Sequence, residues 1–193
     1  IRDSHNTIHI DQNKVEAIKK ALPPSNIKEM RSFLGMANFH RNFIKDYANI
    51  VAPLTDLTAT KSKFLWTEAH QKCFEEIKNK LCSASVLTIP EKGNTNFNLY
   101  CDASLNSIGA VLTQVQGENE KVISYLSQKL GKTQQKWAVI QKELYAIMIA
   151  LKKYEFYLLG GHVDIFSDHK PILGLLDSKP NNSVLERLID NLS

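Results

Sequence analysis

A chain of 193 residues that is 43% hydrophobic and 23% charged has enough apolar side chains to bury a core, which sets aside a disordered tail or linker. Its net charge of +4 is too small to identify a partner, but residues 1–85 carry 13 Lys/Arg against 9 Asp/Glu, while residues 86–193 carry 11 of each. All the excess positive charge therefore lies in the first part, where a polyanion is most readily held.

Residues 1–85 read as helical. Val15, Ile18 and Leu22 recur at helical spacing until Pro23 and Pro24 stop the segment. Ser25 is placed to cap a second helix, with Lys28, Glu29 and Arg31 outward and Phe33, Leu34 and Ala37 inward. That pattern runs on through Phe39, Phe43 and Ile44 toward Pro53, and its spacing assigns Phe33, Phe39 and Phe43 to a core rather than to a base-stacking platform. Thr67 opens a third helix, with Glu68 in its first turn and Phe74, Ile77 and Leu81 on one face.

The period changes after Pro90. Residues 86–96, with Pro90 and Gly93, read as a linker, which divides the chain into domains 1–85 and 86–193. Phe97, Leu99 and Cys101 alternate with polar residues in a strand that ends at Asp102. Residues 109–115 and 121–130 read as two more strands joined by a hairpin turn at 117–119. Thr133 is placed to cap a long helix carrying Trp137, Ile140, Leu144, Ile147 and Leu151 inward, and Gly160-Gly161 is a strong stop. Residues 162–167 form a fourth strand, followed by Asp168 and His169; Pro171 begins a short helix, and Asn182 or Ser183 begins another. The order is helices, then β-β-β-α-β-α, an α/β arrangement without internal repeats.

Three carboxylates fall at telling places in that order. Asp102 ends the first strand, Glu143 lies in the first half of the long helix, and Asp168 ends the fourth strand. A helix packed beside the first strand brings all three to one edge of the sheet. Hard oxygen ligands gathered in this way suit Mg²⁺, which takes its remaining ligands from water and a phosphate substrate. Singly, each acid has an ordinary explanation, as a turn residue or an exposed helix glutamate. Apolar residues at 140, 144 and 147 put Glu143 at the margin of a buried face, and the three together outweigh the ordinary explanation.

Short stretches in a fixed order add a resemblance. Residues 14–19 (KVEAIK), 31–44 (RSFLGMANFHRNFI) and 53–57 (PLTDL) are followed by 64–67 (FLWT) and 77–81 (IKNKL). Then come 102–104 (DAS), 109–114 (GAVLTQ), 123–127 (ISYLS), 142–147 (KELYAI), 157–160 (YLLG) and 167–172 (SDHKPI). From about Asp11 to Arg187 the chain resembles the pol polyprotein of Ty3/gypsy-type LTR retrotransposons. The resemblance implies a reverse-transcriptase thumb-like helical segment followed by an RNase H-like mixed sheet flanked by helices, C-terminally incomplete. It implies that Asp102, Glu143 and Asp168 are three of four metal-binding acids, with Asp102 bridging two metal ions and the other two nearer the leaving group. It also implies Mg²⁺-dependent (or Mn²⁺-dependent) cleavage of the RNA strand of an RNA–DNA hybrid, leaving 3′-hydroxyl and 5′-phosphate ends. The setting it implies is intracellular, in a cytoplasmic virus-like particle or the nucleus, with the rest of the pol polyprotein as partner. Arg31, His40, Arg41 and Lys45, with Asn42, then become candidates for the backbone of a template–primer duplex, contacts that position a duplex without reading its sequence.

The chain departs from the family in places. No Asp-Asp dipeptide occurs in it, so polymerization is not expected of this chain. It begins at Ile1 without a methionine or leader, and the family's fourth acid falls past Ser193, so a piece of a longer protein is the expectation. Asp190 follows Asp168 too closely to take that role, while Leu188 replaces a usual tryptophan and Trp137 a usual tyrosine, as packing changes. His169 is read as a neighbour of the site and Cys101 as a buried small hydrophobe on the strand face opposite Asp102. Cys73, Cys82 and Cys101 form no CxxC or CxxH pattern, which argues against a zinc site or a disulfide framework. No apolar run approaches the roughly 18 residues of a membrane helix, so no membrane partner is expected. Two rival readings remain: a catalytically dead nucleic-acid-binding remnant, and a domesticated interaction module that kept only the fold.

Overall fold

The computed structural model describes residues 7–59, 64–83 and 87–169. The helices proposed from Pro171 onward, together with Arg187, Leu188 and Asp190, lie outside the described residues. The chain forms two compact units, 1–89 and 90–193.

The first unit contains β1 (Thr7–Ile8), α1 (Gln12–Lys20), α2 (Ile27–Phe39), α3 (Tyr47–Ala59), α4 (Glu68–Cys82) and β2 (Leu87–Thr88). Its core gathers Val15 and Ile18 of α1, Met30, Phe33, Leu34 and Ala37 of α2, Leu54 of α3, and Phe74, Ile77 and Leu81 of α4. Several sequence expectations change here. Leu22 lies beyond the end of α1 and is 83% exposed, because the chain turns extended at Ala21, before the two prolines. Asn26, not Ser25, caps α2: its side chain accepts the Glu29 N–H at 3.0 Å, while the Glu29 carboxylate reaches back to the Ser25 N–H and hydroxyl. The helix stops at Phe39, so the inward phase fails there and Phe39 is 83% exposed. Residues 41–43 form a 3-10 turn, and Asp46 takes a left-handed conformation (φ 57°) before α3. Pro53 lies inside α3 rather than ending a helix. Residues 87–88, read as linker, instead pair antiparallel with β1, Thr7 opposite Thr88.

The second unit is built on a four-stranded sheet of β3 (Asn96–Ala103), β4 (Ser107–Gln116), β5 (Asn119–Lys129) and β6 (His162–Phe166), in the order β5-β4-β3-β6. β3, β4 and β5 form an antiparallel meander, and β6 joins β3 in parallel, so the sheet is mixed. Gly117, at φ 62°, turns the β4–β5 hairpin. Between β5 and β6 runs α5 (Val139–Leu158). It starts later than Thr133 suggests: residues 134–136 make a 3-10 turn, Trp137 is extended and packs edge-on against Tyr145, and Ala138 stands at the N-cap. Ala146, Ile147, Ala150 and Tyr154 of α5 meet Phe97, Leu99 and Cys101 of β3 and Ile108, Ala110 and Leu112 of β4 in one buried cluster. The small side chains at 146 and 150 let the helix lie close on the sheet. Gly160 (φ 75°) then reverses the chain into β6.

Candidate metal centre at the sheet edge

Strand register brings the two aspartates together. Tyr100 of β3 is paired with Phe166 of β6, and their rings stack with centroids 4.7 Å apart at 16°. Asp102 and Asp168 each lie two residues further along, on the same side of neighbouring parallel chains. Phe97, Leu99 and Cys101 point into the core, so the alternation turns Asp102 to the opposite, solvent face, where it is exposed. Directly across from it on β4 stands Gly109, which puts no side chain over the acid.

Glu143 arrives from the helix. It begins the α5 stripe that continues through Ala146, Ile147, Ala150 and Tyr154, and for that reason it is only 3% exposed. One carboxylate oxygen, Oε1, accepts the Ala103 N–H at 3.2 Å, immediately after Asp102. The other, Oε2, is buried with no hydrogen-bond partner among the described residues. Asp102, Glu143 and Asp168 each offer an oxygen within 4.8 Å of the others. Burial pushes the Glu143 carboxyl up to about 7; the Ala103 N–H works against that rise, and the charges of Asp102 and Asp168 add to it. Three carboxylates this close, one with an orphaned buried oxygen, form a donor set that a divalent cation neutralises and completes.

Cys101 falls where the sequence suggested. Cys101 is buried on the far face of β3, and burial pushes its thiol up to about 12, so it is an inert packing group. His169 is half-buried, its backbone N–H donating to the Ser167 hydroxyl at 3.2 Å. Sequence reasoning overlooked the stacked Tyr100–Phe166 pair; the signal was an aromatic two residues before each aspartate. It also overlooked Lys142, a lysine only 6% exposed beside Glu143.

Of the four basic candidates of the first unit, three are exposed and one is buried. Arg31 is exposed and donates to the Thr58 carbonyl at 3.3 Å, while Arg41 and Lys45 are exposed around the 3-10 turn. His40 is turned inward: it is 8% exposed and sits against the rings of Phe39 and Phe43. Burial and the nearby Lys14 charge hold its pKa below the ordinary value, so it is a neutral imidazole near pH 7 and not a phosphate-binding cation. It lines a groove of about 600 Å³ with Ile8, Lys14, Met36 and Phe39.

Among the described residues no helix is long and apolar enough to cross a membrane.

Residues 66–165 match the family described as the RNase H-like domain found in reverse transcriptase. Relatives include the pol polyprotein of the Drosophila melanogaster transposon opus, 36% identical over 93% of this chain and 19% of that polyprotein. The pol polyprotein of the Drosophila transposon gypsy is 33% identical over 92% of this chain and 18% of its own length. The chain thus spans about a fifth of these relatives. Among solved structures, a foamy viral protease-reverse transcriptase in complex with dsDNA superposes with a TM-score of 0.77 at 24% identity, over 95% of this chain and 40% of the other. The same enzyme in complex with an RNA/DNA hybrid gives 0.74, also at 24%. At that identity the likeness establishes the fold.

Proposed function

The chain belongs to the family of RNase H-like domains found in reverse transcriptases, and from that premise we propose that its second unit is a divalent-metal-dependent nuclease acting on the RNA strand of RNA–DNA hybrids. The observation that carries this reading is the convergence of one oxygen each from Asp102, Glu143 and Asp168 within 4.8 Å of one another, together with a buried Glu143 oxygen that has no hydrogen-bond partner among the described residues. Oxygen-only ligands favour Mg²⁺, with Mn²⁺ as a substitute. A bound cation supplies the Lewis acidity that activates water toward a phosphodiester and stabilises the leaving oxygen, giving 3′-hydroxyl and 5′-phosphate ends.

The chain's own groups have separate tasks. Asp102 and Asp168, both exposed at the sheet edge, present ligand oxygens toward solvent, where a duplex can approach. The Ala103 N–H anchors one Glu143 oxygen, which keeps the carboxylate beside Asp102, and the second oxygen has no hydrogen-bond partner among the described residues. In the first unit, the exposed Arg31, Arg41 and Lys45 contact the phosphate backbone of a template–primer duplex, without His40. As in the relatives, the remainder of a pol polyprotein is the partner.

The test is cleavage of a labelled RNA–DNA hybrid in Mg²⁺ or Mn²⁺ beside an Asp102→Asn control. Hybrid-specific cleavage that falls by about 100-fold or more in the control is the expected result. Hybrid binding without cleavage in either protein favours the binding remnant, and neither binding nor cleavage leaves the interaction module.

A further inference from the structure

Lys142 immediately precedes Glu143, yet its side chain is turned inward and is only 6% exposed. Lysines are buried to that degree only when the ammonium has a partner. Here Nζ donates to the Leu105 carbonyl at 3.4 Å, in the turn between β3 and β4. Glu143 accepts the N–H of Ala103, on the other side of Ser104. Two consecutive side chains at the start of α5 therefore hold the same short loop, the one that directly follows Asp102. That loop is itself tied closed: Ser104 donates its N–H to the Ser107 carbonyl at 2.8 Å, and its Oγ accepts the Ser107 N–H at 3.0 Å.

About three helical turns further along α5, on nearly the same side, the pattern repeats. Lys153 Nζ donates to the Tyr125 carbonyl at 2.7 Å, and the neighbouring Tyr154 hydroxyl donates to the Ser124 carbonyl at 3.1 Å. The helix is thus fastened to the sheet near both ends by a lysine and its next neighbour. Only the first fastening lies at the acids.

We propose that Lys142 is a positioning residue for the metal centre: by gripping the Leu105 carbonyl it fixes the first turn of α5 against the loop after Asp102, and so sets the aim of the free Glu143 oxygen. The inference rests on the reading of Asp102, Glu143 and Asp168 as metal ligands. A glutamate anchored by one hydrogen bond can still swing about its side-chain torsions. Holding the adjacent residue fixes the helix turn from which that side chain projects, which narrows where its oxygens can reach, and Mg²⁺ tolerates little misplacement.

The experiment is Mn²⁺ titration of the full chain, followed by paramagnetic resonance of the free ion, with the thermal midpoint of each variant measured in parallel. Lys142→Met should weaken Mn²⁺ binding by about tenfold or more, the effect typical of losing a group that orients a ligand. Lys153→Met removes an equivalent grip away from the acids; it should lower the thermal midpoint and leave Mn²⁺ affinity at the wild-type value. Lys142→Arg, which keeps a cationic donor, should recover most of the affinity. Mn²⁺ affinity within twofold of wild type in Lys142→Met overturns the inference, as does an equal loss of affinity in Lys153→Met. If Lys142→Met does not fold, Lys142→Gln, one bond shorter, takes its place under the same thresholds. A wild-type chain that binds no Mn²⁺, or an Asp102→Asn chain that binds it equally well, removes the metal reading itself and the inference with it.

Discussion

Burial pushes the Glu143 carboxyl up to about 7, and the two aspartates beside it add to the rise against the opposing Ala103 N–H. The folded-state pKa thus lies above the unfolded value, so folding favours the protonated acid. The associated stability is fully present below about pH 4.5 and is lost as the pH rises through 7. Without divalent cations, the second unit is expected to lose up to about 3 kcal/mol across that window through this one group. Glu143→Gln should flatten the slope, and saturating Mg²⁺ should cancel the loss, both read from urea midpoints against pH. A wild-type slope that Glu143→Gln leaves unchanged rules the assignment out. The sequence placed Glu143 at the margin of the buried face, since apolar residues at 140, 144 and 147 fix the phase of the helix around it, and the structure buries it further, to 3% exposed. Lys142 was not legible, because a lysine outside the apolar stripe reads as solvated until Leu105 is seen beneath it. His40 misled for the converse reason: its basic neighbours advertise a surface, while Phe39 and Phe43 enclose the ring.

Among the elements, strands were read closely and helix ends less so. Alternation at 97, 99 and 101 and the turn at Gly117 leave little choice of register. Helix limits depend instead on which backbone groups find partners. Asn26 displaces Ser25 as a cap because its side chain reaches the Glu29 N–H, and α5 waits for Ala138, whose N–H donates to the Gln141 side chain at 3.0 Å. The turn from α5 into β6 makes a sharper demand. A Cβ on Gly161 would collide with the Thr95 carbonyl oxygen, which also accepts the His162 N–H at 3.0 Å. Gly161→Ala must therefore push β6 away from the start of β3. The expected cost is about 2–4 kcal/mol, measured by thermal or urea unfolding. Weaker Mn²⁺ binding should accompany it, because Asp168 follows two residues after the other end of β6. An unchanged midpoint would show that this close approach does not govern where β6 lies.

At the scale of the molecule, two separate buried clusters among the described residues divide the work: the helices of the first unit enclose one, and the sheet with α5 encloses the other. The order of elements announced this division, but the sequence did not disclose the strand order β5-β4-β3-β6, because period and turns say nothing about which strand receives the fourth. The parallel pairing of β6 with β3 has a kinetic consequence. Asp102 and Asp168 are separated by about 65 residues of chain, and they meet only after the meander and α5 have formed and β6 has docked. The meander needs only short loops and can assemble first, while the cluster of three acids is completed last. On the proposed metal-centre reading, a divalent cation would have nothing to grip in the folding transition state and much to grip in the native protein. Stopped-flow measurements with and without Mg²⁺ should find refolding at the same rate and unfolding slowed roughly in proportion to the stability gained. Faster refolding in Mg²⁺ would mean that β3 and β6 come together early, and that the acids are a nucleus rather than a clasp.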